Sequence, residues 1–173
     1  MLLSSETMVW LMGIIAVLGS VVLLLTLWGR RIPETHTVRA IRELPAPVAD
    51  VWKVIADMPG QVRWRADMRR IDRQANHKGN AVWLETYAGN QEILTELVEV
   101  EAPRRLVKEY REIKGPSYGR WIIQLEARGG HTQLELITHV TNTNPIARLF
   151  LRRFIGEGTL VKTYLNQLFQ HLT

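Results

Sequence analysis

The sequence predicts a helix-on-sheet α+β domain behind one apolar helix of membrane-spanning length. Three observations predict it. An uncharged run of twenty-one residues, Met8 to Trp28, stands near the N-terminus. Short segments of alternating polarity follow, divided by glycine, asparagine and proline turn signals. The chain then closes on apolar residues at helical spacing, and 173 residues hold one domain with a real core but not two comfortable ones.

The reading divides the chain into a tail (1–7), a transmembrane helix (8–28), a linker (29–35) and a folded domain (36–173). At about 1.5 Å per residue the apolar run spans roughly 31 Å, close to the hydrocarbon thickness of a bilayer. Trp10 and Trp28 sit near its ends, where indoles prefer the interface. A cleaved signal peptide would want a basic start, a shorter apolar stretch and a small-residue cleavage site. Here Glu6 is the one charged side chain before the run, which ends in Leu27-Trp28-Gly29-Arg30-Arg31, so a retained anchor is expected. Arg30, Arg31, Arg39 and Arg42 follow the helix and no Lys or Arg precedes it. The positive-inside rule then makes this a single-pass inner-membrane protein with its C-terminal domain in the cytoplasm. Ala16 and Ser20 have the small-xxx-small spacing of packed membrane helices, a weak signal for a dimer.

The domain's elements follow in order. His36 to Glu43 alternates as a strand and is stopped by Pro45-Ala46-Pro47. A helix from Val48 to Asp57 carries Val51, Trp52 and Ile55 on one face, Met58-Pro59-Gly60 breaks it, and a helical turn holds Gln61 to Trp64. Strands are predicted at 68–74, 81–88, 91–101, 105–113, 118–128 and 131–141, with turns such as Gly89-Asn90 and Gly129-Gly130 between them, the pattern of an antiparallel meander. Trp121, Ile123 and Leu125 fall on one strand face, as do Leu134, Leu136, Thr138 and Val140. A last helix from Pro145 to His171 carries Ile146, Leu149, Phe150, Phe154, Val161, Leu165 and Leu168, with a kink expected at Gly156 and Gly158. One amphipathic helix can cover the concave face of a twisted sheet. Periodicity does not decide whether the space between is filled or hollow.

Composition narrows the chemistry. With no cysteine, disulfides, thiolate metal sites and thiol nucleophiles are excluded. The formal charge of +5 gathers in two arginine clusters, Arg63, Arg65, Arg69, Arg70 and Arg73, then Arg148, Arg152 and Arg153. Beside an anchor, Arg30, Arg31, Arg148, Arg152 and Arg153 suit anionic lipid head groups. The plainer account is a solvated face balanced by Asp67 and Asp72. Nucleic-acid binding lacks a recognition motif. The five histidines show no metal-ligand spacing, so no metal is expected, and no cofactor is called for.

Glu43 to Trp64 (ELPAPVADVWKVIADMPGQVRW), Val98 to Leu106 (VEVEAPRRL) and Gly129 to Leu136 (GGHTQLEL) together resemble the START-related superfamily of helix-grip proteins, with its polyketide cyclase-like and Bet v 1-like members. The resemblance runs from His36 to the end of the chain. It implies a helix-grip fold, in which a curved antiparallel sheet of six to seven strands grips the long C-terminal helix around an apolar cavity. It also implies a hydrophobic small molecule or lipid as ligand. It implies no shared catalytic set.

Trp64, Trp83, Tyr87, Tyr110, Tyr118 and Trp121 are candidates to line such a cavity, since aromatic walls offer apolar area with a few polar handles. Phe150, Phe154 and Tyr164 would lid it. For any one of these residues, ordinary core packing is the favoured account. Gly115-Pro116-Ser117-Tyr118-Gly119 has the letters of a hydrolase nucleophile elbow, but a strand follows where that motif needs a helix. Gly156-Glu157-Gly158 follows no strand, which excludes a dinucleotide fingerprint. Glu85, Glu109 and Arg111 lie on strands whose faces alternate ambiguously; a carboxylate turned inward would be a candidate acid or base, and solvent-facing cross-strand pairs are the favoured account.

The leading expectation is a non-catalytic carrier or sensor of a hydrophobic ligand at the membrane. A cyclase or dehydratase is the alternative, and two or more ionisable side chains buried in the grip would support it. The third reading is a protein-interaction module with a filled core.

Overall fold

The computed structural model describes residues 5–156 and 158–173. The apolar run forms α1 (Ser5–Arg30), a helix long and apolar enough to cross a membrane, exposed from Glu6 to Leu24. β1 (Thr35–Leu44) begins after the four residues 31–34 and is followed by α2 (Val48–Ala56) and a 3₁₀ turn (Pro59–Arg63). The meander comprises β2 (Met68–His77), β3 (Asn80–Tyr87), β4 (Glu92–Glu101), β5 (Arg105–Glu112), β6 (Ser117–Arg128) and β7 (His131–Asn142). All seven strands join one antiparallel sheet in the order β1-β7-β6-β5-β4-β3-β2, so consecutive strands are neighbours except that β1 closes beside β7. The β6–β7 hairpin turns on Gly129 and Gly130, both at positive φ (55° and 93°), where side-chain-bearing residues would be strained.

Register fixes which side chains share the gripping face. Leu106 pairs with Ile123 and Ile123 with Leu136, so these three stand side by side. With Leu44, Leu125 and Leu134 they meet Val51 and Ile55 of α2 and Val161, Leu165 and Leu168 of the last helix. Each such side chain contributes about 1.5–3 kcal/mol on burial, and this cluster is the domain's core.

The C-terminal helix is not continuous. α3 (Pro145–Phe150) passes into a π-helical turn (Leu151–Ile155), and α4 (Thr159–Leu172) starts afresh after Gly156. The expected kink is therefore a full interruption. Asn144 caps α3 by accepting from the Ile146 and Ala147 amides at 2.9 and 3.1 Å.

α3 packs against the C-terminal end of α1. Gly29 makes that contact, since a Cβ there would stand 2.1 Å from the Pro145 carbonyl oxygen. Arg148, only 6% exposed, seals the joint. Its guanidinium donates to the Asn142 carbonyl (2.9 Å), the Glu34 carboxylate (3.2 Å) and the Gly29 carbonyl (3.3 Å). A cation over the last carbonyls of α1 also suits the negative end of that helix.

Candidate functional site

The same gripping face changes character toward β2 and β3. Lys108 stands between Leu106 and Tyr110 on β5 and pairs across the sheet with Trp121 and Leu97. One strand further, Thr95 faces Tyr110 on one side and Trp83 on the other. Beyond them Glu85 faces Ile71, and Tyr87 faces Met68. The loop after the 3₁₀ turn delivers Arg65 to this end, and α4 delivers Tyr164.

These groups form one buried polar cluster. Arg65 binds Asp67 at 2.9 Å, approaches Glu85 at 4.0 Å and donates to the Tyr87 hydroxyl at 3.2 Å. Tyr87 in turn donates to the Glu85 carboxylate. Gln61 accepts weakly from Arg65 at 3.4 Å and anchors itself on the Ile55 carbonyl at 3.1 Å. Tyr164, 2% exposed, is the hub. Trp64 and Trp121 meet its ring edge-on at 5.4 and 5.2 Å, and the Arg65 and Lys108 cations lie 5.5 and 5.9 Å from its centroid. Its hydroxyl is buried with no hydrogen-bond partner among the described residues, as is Glu85 Oε1.

Burial sets the titration of the cluster. It pushes Lys108 down to about 8 from the ordinary 10.5, partly offset by the Glu85 charge. Tyr87 is held well above its ordinary range by burial and then by Glu85, and Tyr164 is raised by burial as well. Burial works against the Arg65 guanidinium, yet Tyr87, Glu85 and Asp67 keep it above its usual value.

Among the aromatic residues singled out in the sequence, Trp64, Tyr87 and Trp121 converge on this cluster. Trp83 and Tyr110 lie half-buried along the same face, Trp83 beneath the Arg73 guanidinium at 5.1 Å. Tyr118 points outward, and Phe150, 55% exposed, stands apart on α3. The Phe154 side chain lies outside the described residues. Glu109 and Arg111 face away from the grip, Glu109 toward Arg120, whereas Glu85 faces into it. Arg65 and Lys108 are the functional candidates that periodicity did not isolate. Arg65 is hidden within a basic run, and Lys108 alternates with Leu106 and Tyr110, a faint signal that its face turns inward.

Of the basic positions, Arg30, Arg31, Arg152 and Arg153 are exposed, whereas Arg148 is inside the α1–α3 joint. Arg63 and Arg70 pair with Asp57 and Asp72, as a solvated face would. Two open cavities stand out among the described residues. One, of about 230 Å³, lies at the joint beside Ile32, His36 and Arg152, and the other, of about 280 Å³, lies beside Arg104, Gln124 and Glu135. The grip is packed solid at its apolar end, and at the other Trp83, Tyr110 and Trp121 are partly buried, Trp121 against the core; neither of these two cavities is the apolar one expected inside the grip.

Residues 35–171 match the model of a family described as polyketide cyclase/dehydrase and lipid transport. Among solved structures, the chain resembles the Zhui aromatase/cyclase of a Streptomyces species, with a TM-score of 0.67 at 15% identity over 80% of this chain and 93% of that one. A conserved protein of Geobacillus kaustophilus superposes with a TM-score of 0.61 at 14% identity, over 79% and 95% of the two chains. A Thermus thermophilus protein does so with a TM-score of 0.57 at 19% identity, over 80% and 100%. At such identities the likeness establishes the helix-grip fold. Among curated proteins no sequence matches this chain.

Proposed function

The chain belongs to the polyketide cyclase/dehydrase and lipid transport family, and on that premise we propose that it is a membrane-anchored binder of a hydrophobic small molecule or lipid. The ligand's apolar body lies over Trp83, Tyr110 and Trp121, and its polar end meets Lys108 and Tyr164. One observation carries this reading: ionisable side chains converge, buried, at the less tightly sealed end of a face that is otherwise apolar. A purely apolar ligand would leave that end uncompensated, whereas an amphipathic one satisfies both halves.

The exposed apolar surface of α1 and the arginines that follow it support a single-pass anchor with the domain on the cytoplasmic side of the inner membrane. Arg30, Arg31, Arg152 and Arg153 then face the anionic leaflet. Arg148 supports this arrangement from inside, by holding α3 to the anchor.

A second reading, a cyclase or dehydratase acting on a hydrophobic substrate, is favoured by the protonated tyrosines beside Glu85 and by the readily deprotonated Lys108. Native mass spectrometry of the full-length protein released from detergent, with organic extraction, tests the binding reading. A stoichiometric lipid or small amphiphile is the expected result. A protein that is reproducibly empty and takes up no fluorescent lipid would move the function to its surface.

A further inference from the structure

We propose that Lys108 is an imine-forming amine, and that the ligand class of the grip is a hydrophobic aldehyde or ketone. This rests on the binding reading above and names its chemistry.

Lys108 differs in kind from the chain's other lysines. Lys53, Lys78, Lys114 and Lys162 are all exposed, while Lys108 is 5% exposed and stands on the gripping face. Its ammonium lies 5.2 Å from the Trp121 centroid and 5.9 Å from that of Tyr164. No carboxylate among the described residues comes within ion-pair distance of it. The charged and titratable groups that face it are accounted for: Glu85 is engaged by Arg65 and Tyr87, Arg65 adds a second positive charge, and Tyr164 and Tyr110 are held protonated by burial. Burial and the Arg65 charge outweigh the pull of the two rings on an ammonium, so Lys108 gives up its proton more readily than an exposed lysine and yields the neutral amine that attacks carbonyls. An arginine in its place would hold its charge and serve only as an electrostatic partner.

The step balances without an oxidant or reductant. The Lys108 nitrogen lone pair adds to the carbonyl carbon, forming the C–N bond, and a nitrogen proton passes to the former carbonyl oxygen. A second nitrogen proton is lost as the C–O bond breaks, so that one water leaves and the C=N bond remains. The Tyr164 ring lies 5.9 Å from the Lys108 ammonium, and its hydroxyl, buried without a hydrogen-bond partner among the described residues and held protonated by burial, is the candidate donor to the departing oxygen.

The test is reductive trapping on the full-length protein in detergent, with naphthaldehyde as the carbonyl probe and cyanoborohydride as the trap, followed by peptide mapping. Labelling at Lys108 should run at least about tenfold faster than at any exposed lysine near pH 8, because ordinary lysines remain almost wholly protonated there. The α-amino group is read separately in the same map. Lys108→Arg should abolish the adduct at this position while the exposed sites label as before, and Lys108→Met serves if the arginine does not fold. Naphthalenemethanol, of the same shape without the carbonyl, reports the grip alone through quenching of Trp64 and Trp121. If the alcohol binds and Lys108 stays unlabelled, the imine is overturned and the binding reading stands. If neither probe binds, both are overturned.

Discussion

The two ends of the gripping face are built on opposite terms. At one, Leu44, Val51, Ile55, Ile123, Leu134, Leu136 and Leu168 are sealed from solvent against α2 and α4 and contain no polar side-chain atom. At the other, Arg65, Glu85 and Lys108 are nearly as buried, and only Arg65 and Glu85 answer each other directly. Apolar burial stabilises a fold outright, whereas a buried ion pair seldom does better than break even and an unpaired buried cation costs stability. The apolar end therefore holds the domain together, and the ionisable end costs it stability.

Substitutions at the two ends should separate these roles. Arg65→Met should have the largest effect, costing about 3–5 kcal/mol in urea unfolding, because it leaves Glu85 and Asp67 without their cation. Its ligand uptake should fall with it. Leu168→Ala should cost about 2–5 kcal/mol by opening a cavity in the sealed core, with ligand uptake unchanged in the folded fraction. If Leu168→Ala weakened uptake as much as Arg65→Met, the division would be wrong.

The smallest effect is a gain with pH. Because Lys108 titrates near 8 in the fold and at its ordinary 10.5 when unfolded, the unfolded chain binds more protons between those values, and stability should climb there. The cost of the buried ammonium is fully present below about 8. Above pH 10 the rise should reverse, since Tyr87 and Tyr164 keep protons that unfolded tyrosines lose. A net rise of roughly 2 kcal/mol between pH 7 and 9.5, absent in Lys108→Met, is the expected profile of the urea midpoint.

The apolar end was legible in the sequence because its signals are redundant. Trp121-x-Ile123-x-Leu125 and Leu134-x-Leu136-x-Thr138 alternate cleanly, and each strand's inward face is confirmed by its neighbour's. The helix-grip fold followed from these strands, the proline-started helices and the resemblance of the linking motifs. The ionisable end was not legible in the same way. On β3, Val82, Leu84 and Thr86 are as apolar as Trp83, Glu85 and Tyr87, and only the register from Trp83 through Thr95 to Tyr110, on the β5 face that carries Leu106, shows which set turns inward. Arg65 reads as one member of a surface run until the chain's turn after Arg63 brings it under Tyr87 and Tyr164. Arg148 shows the same limit: its place in an exposed-looking basic cluster gives no hint of the Gly29 carbonyl it binds, since that contact spans 119 positions. The break in the last helix was foreshadowed by its two glycines, but the π-helical turn before them has no sequence mark.

The most direct test of the account is the urea midpoint of full-length Lys108→Met in detergent at pH 7, with and without naphthaldehyde. The prediction is a midpoint above wild type in the absence of the probe, because a buried charge has gone, and an upward shift with the probe cut to what naphthalenemethanol gives wild type, because the imine is lost. A midpoint below wild type together with an undiminished shift would mean that Lys108 packs the core and that the ligand's polar end is met elsewhere.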